Sequence, residues 1–173
     1  MHVEVNLHHD NSCHMWNARG VCTNQKNTIY AEIFGNGRAY SVNYDRIITI
    51  SEKTKFAPRI GSYMGGIRFT VPLEANLLFS KSATSKHFVE FGVGTTFRSP
   101  KDYEPGLRFF DDVNAKDYEE GIWNEYTARI GYRHQKPKGG WMYRAGILSI
   151  YMPYRTKNKI FFPMPAVSVG YTF

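Results

Sequence analysis

The sequence lacks any long hydrophobic run. No stretch of the 173 residues approaches the roughly 18 to 20 consecutive apolar residues that a membrane-spanning helix needs. By hydropathy alone the chain would be grouped with soluble proteins. A membrane strand, however, alternates apolar and polar residues and averages out in such a profile, so the absence excludes spanning helices only.

Cysteine is scarce. The two residues, Cys13 and Cys22, could close a short disulfide loop in an oxidising compartment. His8, His9 and His14 lie nearby, but their spacing matches no zinc pattern well. We therefore expect free thiols or one disulfide there, and neither a metal nor a cofactor.

A basic start followed by an apolar run is also absent, so residues 1–27 do not have the form of a signal peptide. Either the protein is cytoplasmic, or the chain is mature or truncated at its start. We divide the chain into an N-terminal segment of unknown structure, residues 1–27, which is periplasmic or a start artefact, and a folded domain, residues 28–173.

What the sequence has in abundance is aromatic residues, 16% of the total, including 12 Tyr and 12 Phe. So many aromatics exclude a disordered chain, and the composition is not that of a helical bundle. Tyr, Phe, Thr, Val and Gly together favour strands and tight turns. The net charge of +7 is dispersed without a basic stripe, so we expect no nucleic-acid partner.

A period of two is clearest in residues 67–79, IRFTVPLEANLLF. The seven odd positions are apolar, whereas the even positions include Arg68, Thr70, Glu74 and Asn76. A strand places these two sets on opposite faces, whereas a helix would scatter them. Thirteen residues is long for a strand of a small soluble domain and adequate for a tilted strand that crosses a bilayer.

Seven more segments alternate in the same way. They are residues 28–36, 39–48, 56–63, 87–97, 126–134, 141–151 and 166–173. The segment 56–63 is the weakest prediction, because Pro58 cannot donate to a ladder. Eight antiparallel strands connected as hairpins predict an all-β, eight-stranded, antiparallel up-and-down transmembrane β-barrel. If the C-terminus is periplasmic, strand parity places the long loops 98–125 and 152–163 outside.

The two faces of the predicted strands indicate which one is inside. The apolar face carries more large aromatics than the narrow interior of an eight-stranded barrel can hold, so we place them outside as girdles at two lipid interfaces. The other face carries glycines and balanced charges, which in a narrow lumen must be paired. We predict a salt-bridged lumen without an open pore, formed by Glu32, Asp45, Arg59, Arg68, Glu74, Glu90, Arg129 and Arg144.

Several stretches resemble the small outer-membrane β-barrel proteins of Bacteroidota and their relatives. They are GNGRAYSVNYDR, VPLEANLLFSK, HFVEFGVGTTF, YTARIGYRHQKPKGGWMYRAGI and FPMPAVSVGYTF, and the resemblance extends over roughly residues 28–173. The resemblance implies the outer membrane of a Gram-negative bacterium, and implies that Phe173 is the signal read by the barrel-assembly machinery. Because such proteins are exported with a leader, we expect a missing leader or a wrong start site.

The first functional hypothesis is a structural or accessory barrel that acts through its outer loops or beside another membrane protein. The loop 98–125 is acidic in parts, and the loop 152–163 is basic with two phenylalanines. Basic side chains at the outer surface could contact phosphates of lipopolysaccharide. We name as candidates for lipopolysaccharide or partner contact Arg155, Lys157, Lys159, Phe161 and Phe162.

Two alternatives remain open. Some eight-stranded barrels deacylate or acylate lipid A, and a deacylase needs a His and a Ser close together on the outward face. His134 has no neighbouring Ser in sequence and parity puts it at a periplasmic turn, so we expect no enzyme. A soluble lipocalin-like binder would need an apolar lumen, and Arg68, Glu74 and Arg129 would then face solvent.

Overall fold

The computed structural model describes residues 26–37, 40–63, 70–98, 123–153 and 160–173. Within these ranges the chain forms strands and turns, and none of it is a helix long and apolar enough to cross a bilayer. The strands are β1 (Asn27–Ile33), β2 (Tyr40–Arg46), β3 (Ile48–Thr49), β4 (Thr54–Ser62), β5 (Thr70–Phe79), β6 (His87–Arg98), β7 (Trp123–Gln135), β8 (Gly140–Tyr151) and β9 (Ile160–Thr172).

Consecutive strands pair antiparallel, except for β2 and β3, and two further pairings close the sheet. The first strand pairs with the last, Thr28 opposite Thr172, and β2 pairs with β4 as well as with β1. The two-residue β3 follows β2 after Ile47 and pairs only with β4, so β2 and β3 together make one barrel strand. The predicted eight-stranded antiparallel barrel is confirmed in the described part of the chain.

The barrel has two unlike ends. At the terminal end, where β1 begins and β9 ends, the connections are the short turns 50–53, 80–86 and 136–139. At the opposite, loop end, the connections are residues 34–39, 63–69, 99–122 and 152–159. Asn27 and Phe173 exchange two backbone hydrogen bonds of 3.1 and 2.8 Å, which fasten both ends of the sheet to each other.

Burial alternates along the strands, and the exposed side is the apolar one. In β2 the pattern runs from exposed Tyr40 to exposed Arg46, with Ser41, Asn43 and Asp45 buried between them. Large apolar side chains that are 37% to 52% exposed occur on all eight barrel strands, for example Ile29, Tyr44, Ile60, Leu73, Phe91, Ile130, Tyr143 and Val169. Polar and charged side chains therefore fill the lumen.

Outward aromatic side chains lie at both ends of the barrel. Trp141 and Tyr171 meet edge to face on neighbouring strands at the terminal end, with ring centroids 6.2 Å apart. Tyr126 and Tyr151 stack at the loop end at 6.4 Å. The predicted aromatic girdles at two lipid interfaces require such a division of the outward aromatics between two levels.

Strand bounds differ from the predictions at the loop end. The predicted loop 152–163 is wrong in its last four residues, since β9 begins at Ile160. Pro163 and Pro165, which cannot donate to a ladder, obscured the alternation there. A register shift between Leu148 and Ile150 on β8 accompanies this stretch. The predicted loop 98–125 shortens to residues 99–122, because β6 includes Arg98 and β7 begins at Trp123.

The first strand is shorter than predicted. It ends at Ile33 rather than at residue 36, because Phe34 has a φ of 57° and leaves the extended conformation. The turn that follows brings Asn36 into the lumen, where its side chain is buried.

Among the described residues, two buried apolar clusters lie near the two ends of the lumen, whereas the Tyr30 ring lies among the central charges. Near the terminal end Ile47, Ala57, Leu78 and Phe88 form one buried cluster. Near the loop end a second cluster lies along β8 and β9 and contains Leu148, Ile150, Met152, Met164 and Ala166. The charged residues of the mid-lumen lie between these clusters, away from water.

Candidate functional site

The centre of the lumen is organised around Glu32 on β1. Arg59 of β4 donates to its Oε1 from Nη2 at 2.6 Å, and Arg129 of β7 donates to its Oε2 from Nη1 at 2.8 Å. Ser168, the cross-strand neighbour of Glu32 on β9, donates its hydroxyl to Oε2 at 3.1 Å. Four strands therefore meet on one carboxylate.

The same two arginines also contact Glu74 on β5. Arg59 Nη1 lies 2.9 Å from Glu74 Oε2, and Arg129 Nε lies 2.8 Å from Glu74 Oε1. Asn36 donates its amide to Glu74 Oε2 at 2.8 Å. Two carboxylates and two guanidinium groups thus form a closed set in which each charge has two opposite neighbours.

Arg144 on β8 extends this set toward Glu90. Its guanidinium forms an ion pair with Glu90 of β6, and it donates to the Tyr30 hydroxyl at 2.9 Å and to Asn76 Oδ1 at 3.2 Å. The guanidinium carbons of Arg59 and Arg144 lie 5.4 and 5.6 Å from the centroid of the Tyr30 ring. At these distances the ring interacts favourably with both cations.

A second ion pair lies nearer the terminal end. Arg133 on β7 donates two hydrogen bonds to Asp45 on β2, at 2.7 and 2.9 Å, in a bidentate arrangement. Its Nε donates to Gln135 Oε1 at 2.6 Å. Thr28 and Thr172 share a hydrogen bond of 3.2 Å beside this pair.

A third ion pair lies at the loop end. Arg98 Nε is 2.9 Å from Glu125 Oε2, across the neighbouring strands β6 and β7. Arg98 also donates to the backbone carbonyl of Asn36 at 3.3 Å. Asn36 therefore contacts both this pair and Glu74 in the central set.

Glycines make room for the central set. A Cβ at Gly92 would lie 2.2 Å from Asn76 Oδ1 and 2.5 Å from Glu74 Oε1. A Cβ at Gly61 would lie 2.0 Å from Asn43 Oδ1, and Asn43 itself accepts hydrogen bonds from Arg59. The small residues seen in the sequence pattern thus stand where the charged side chains cross the lumen.

The structure brings together seven of the eight residues predicted for the lumen charge network. Glu32, Asp45, Arg59, Glu74, Glu90, Arg129 and Arg144 are all buried on the inner face. Asp45 pairs separately from the central set. Arg68 lies outside the described residues.

Four buried charged residues of the lumen were not among those predicted from the sequence. Arg133 stands four residues after Arg129 on the same face, so the period of two was sufficient to identify it. Arg98 and Glu125 were missed because the predicted strands stopped one residue short of each. A fourth, Lys55, lies one residue before the predicted start of its strand and has its ammonium 4.7 Å from the Phe88 ring centroid.

The other predicted residues lie at the surface or outside the description. Phe173 points outward and is half exposed, beside the end of β9. Phe161 and Phe162 belong to β9 rather than to a loop, and their side chains are not described. Arg155, Lys157 and Lys159 lie outside the described residues.

His134 is at the terminal end, as strand parity predicted. It stands opposite His87 in the β6–β7 register, with ring centroids 5.0 Å apart, and His87 contacts the hydroxyl of Tyr132. Tyr143 is its neighbour on the other side. Within the described ranges, no three His, Cys, Asp or Glu residues are grouped so that they could hold a metal ion.

Comparison with known proteins identifies the fold. No known protein family matches the chain, and no curated protein sequence matches it significantly. Among solved structures, it is similar to the crystal structure of the N-terminal β-barrel domain of Pseudomonas aeruginosa OprF, with a TM-score of 0.52. The alignment covers 86% of this chain and 96% of that domain at 10% sequence identity, so it establishes the shared barrel fold.

Proposed function

We propose that this chain is an integral outer-membrane β-barrel of a Gram-negative bacterium with a lumen closed by paired charges. Its role is structural or accessory, through its loop end or beside another membrane protein, and its surroundings are outer-membrane lipid and lipopolysaccharide. The Bacteroidota relationship and recognition of Phe173 by the barrel-assembly machinery are parts of the same proposal.

The observation that carries the proposal is the inverted burial. Val93 in the middle of β6 is 65% exposed, whereas Glu90, an inward residue of the same strand, is fully buried. A continuous apolar surface around a whole barrel would aggregate in water, and it is what a lipid bilayer covers. The soluble lipocalin-like alternative requires the opposite arrangement, an apolar lumen and a charged outer face.

Closure of the lumen is argued from the ion pairs. Guanidinium and carboxylate groups from six strands are in direct contact across the centre, and each end carries a buried apolar cluster. A passage for ions would have to separate these pairs. Leaving one of the charges buried without its partner costs about 3 to 5 kcal/mol. We therefore propose that the barrel does not conduct.

Refolding in detergent with gel electrophoresis tests membrane insertion. The full chain is refolded, added to phosphatidylcholine vesicles, and run in SDS with and without boiling. We expect vesicle-bound protein whose unboiled band migrates faster than the boiled one. A monomer that stays soluble without detergent and shows no shift would contradict the proposal.

Planar-bilayer recording tests closure separately. We expect inserted protein, verified by the gel shift, to give no steady single-channel steps. Regular conductance steps from the parent chain would contradict the closed lumen while leaving the membrane location intact.

We propose no catalytic role for His134. Its described ring neighbours are His87 and Tyr143, and no serine hydroxyl is bonded to it within the described residues. His134→Ala should therefore leave the lipid A of expressing cells unchanged relative to cells that express the parent. Parent-dependent lipid A deacylation that the variant loses would support the enzyme alternative.

A further inference from the structure

The terminal end of the barrel carries a predominantly basic surface. Within the described part of the chain, seven basic side chains and one acidic side chain, Glu52, occupy its turns and adjoining strand ends. We call the basic set the terminal-end collar: Lys26, Arg46, Lys53, Lys81, Lys86, Lys136 and Lys138. Six of these side chains are exposed and Lys26 is partly buried.

The backbone of the collar is fixed by the turns. The carbonyl of Lys53 accepts from Ser80 at 2.8 Å, that of Lys86 from Gln135 at 2.9 Å, and that of Lys136 from Gly139 at 3.1 Å. The carbonyl of Lys26 likewise accepts from Ile47 at 2.7 Å. These bonds hold the Cα atoms around the rim while the ammonium groups extend into solvent.

The charge of the collar is not neutralised by the chain itself within the described residues. The ion pairs within the described residues lie in the lumen, where each joins an arginine to a glutamate or an aspartate of the inner face. None of them includes a residue of the collar. Exposed like charges on adjacent turns repel one another, so an external anion would stabilise the arrangement.

The collar also stands at a particular level of the barrel. Outward aromatic side chains ring the same end, among them Tyr132, Trp141 and Tyr171. Lys136 and Lys138 lie a few residues beyond them along the chain. Aromatic residues mark the boundary of the hydrocarbon core, so the collar falls at the level of the lipid phosphates.

We propose that the terminal-end collar binds the phosphate groups of anionic phospholipids in the leaflet at that end of the barrel. This inference rests on the proposed membrane insertion and adds a lipid class to it. The positive charge of the collar is densest at the turns 80–86 and 136–139. There Lys86 and Lys136 flank His87 and His134, which face each other across β6 and β7.

Trp141 offers a native reporter, since it is 60% exposed on the outer face at the end of the barrel that carries the collar. Replacing Trp16 and Trp123 with Phe leaves it as the single tryptophan. This protein is inserted into phosphatidylcholine vesicles that contain an equal fraction of chain-brominated phosphatidylglycerol or chain-brominated phosphatidylcholine. We expect the phosphatidylglycerol to quench Trp141 at least about twofold more strongly, and high salt to remove the difference.

Charge-matched variants distinguish an effect of the collar residues from an effect of the net charge of the protein. Lys86→Gln with Lys136→Gln and Lys138→Gln should bring the quenching ratio to one. Arg155→Gln with Lys157→Gln and Lys159→Gln removes the same charge at the loop end and should preserve the ratio. Lys53→Gln with Lys81→Gln is a second collar variant for use if the first does not refold, as judged by the gel shift.

The outcomes distinguish this inference from the proposed function. If neither brominated lipid quenches Trp141, the barrel is not inserted and the proposed function fails. If both quench it equally in the parent, insertion stands and the collar proposal is wrong, which would favour an acidic soluble partner. An equal loss of preference in the collar and loop-end variants would also overturn it, because net charge would then explain the effect.

Discussion

The outer face and the lumen of the barrel are made by the same strands, one residue alternating with the next. In β6, Val89, Phe91 and Val93 point outward and are at least 46% exposed, whereas Glu90 and Gly92 are buried on the inner side. The outer face therefore depends on an apolar environment outside the protein, and the lumen depends on partners within it. Substitutions on the two faces should obey opposite rules.

The largest expected effect is the removal of a central charge. Glu32→Gln leaves Arg59 and Arg129 without one of their two carboxylates in a buried site. We expect a loss of about 3 to 5 kcal/mol in the free energy of unfolding. Urea unfolding of vesicle-inserted protein measures it.

The matched control is Glu52→Gln, the same chemical change on an exposed turn. It should alter the free energy of unfolding by less than about 0.5 kcal/mol. Equal effects of the two variants would mean that Glu32 is solvated and that the lumen is not a paired interior.

A charge introduced on the outer face should cost almost as much. Val93 lies between Ala75 and Ala128 near the middle of the barrel wall. Val93→Arg should lower the stability of vesicle-inserted protein by about 2 to 4 kcal/mol, because the guanidinium would enter the hydrocarbon core. Ser82→Arg on an exposed turn should have almost no effect, and a neutral result for Val93→Arg would indicate a water-facing wall.

A methyl group added to the crowded side of the lumen should have an intermediate effect. Gly92→Ala places its Cβ against Asn76 and Glu74, which must then shift. We expect a loss of about 1 to 3 kcal/mol by the same unfolding measurement. Ala75→Val adds volume on the outer face of the adjoining strand and should leave stability nearly unchanged. Equal losses of stability for the two variants would mean that the lumen side is no more crowded than the outer face.

The smallest effect is expected for the buried cation that has no carboxylate partner in the described residues. Lys55→Met exchanges an ammonium over Phe88 for an apolar side chain beside Leu78 and Ala57. The gain from relieved desolvation offsets the lost cation–π contact, so stability should change by about 1 kcal/mol or less.

Arg59→Met, on the same strand and face, removes a paired charge and supplies the contrast. It should lose about as much stability as Glu32→Gln. A large loss of stability for Lys55→Met would mean that the lysine has a charged partner. The ends of the lumen would then depend on charge pairing as its centre does.

Most of the fold could be predicted from the alternation of apolar and polar residues, because one exposed face and one buried face impose a period of two on each strand. It failed where that period is broken. Pro163 and Pro165 masked the start of β9, and the left-handed Phe34 ended β1 early. Neither feature follows from local apolar spacing.

The lumen residues could be predicted as a set but not as pairs. Parity placed Asp45 and Glu32 on one face, yet only the register and curvature of the closed sheet bring Asp45 to Arg133 and Glu32 to Arg59 and Arg129. Partners as far apart as Glu32 and Arg129 in sequence are joined by closure of the barrel. Closure is a global property that no single segment encodes.

Spin-label accessibility along β5 tests the central claim most directly. In a chain with Cys13→Ser and Cys22→Ser, a nitroxide is placed in turn at Leu73, Ala75, Asn76 and Leu77 in vesicle-inserted protein. We expect the outward three to collide with oxygen and not with a water-soluble nickel complex, and the inward Asn76 position to be shielded from both. Frequent collisions of the nickel complex at Leu73, Ala75 and Leu77 would contradict a lipid-facing outer wall.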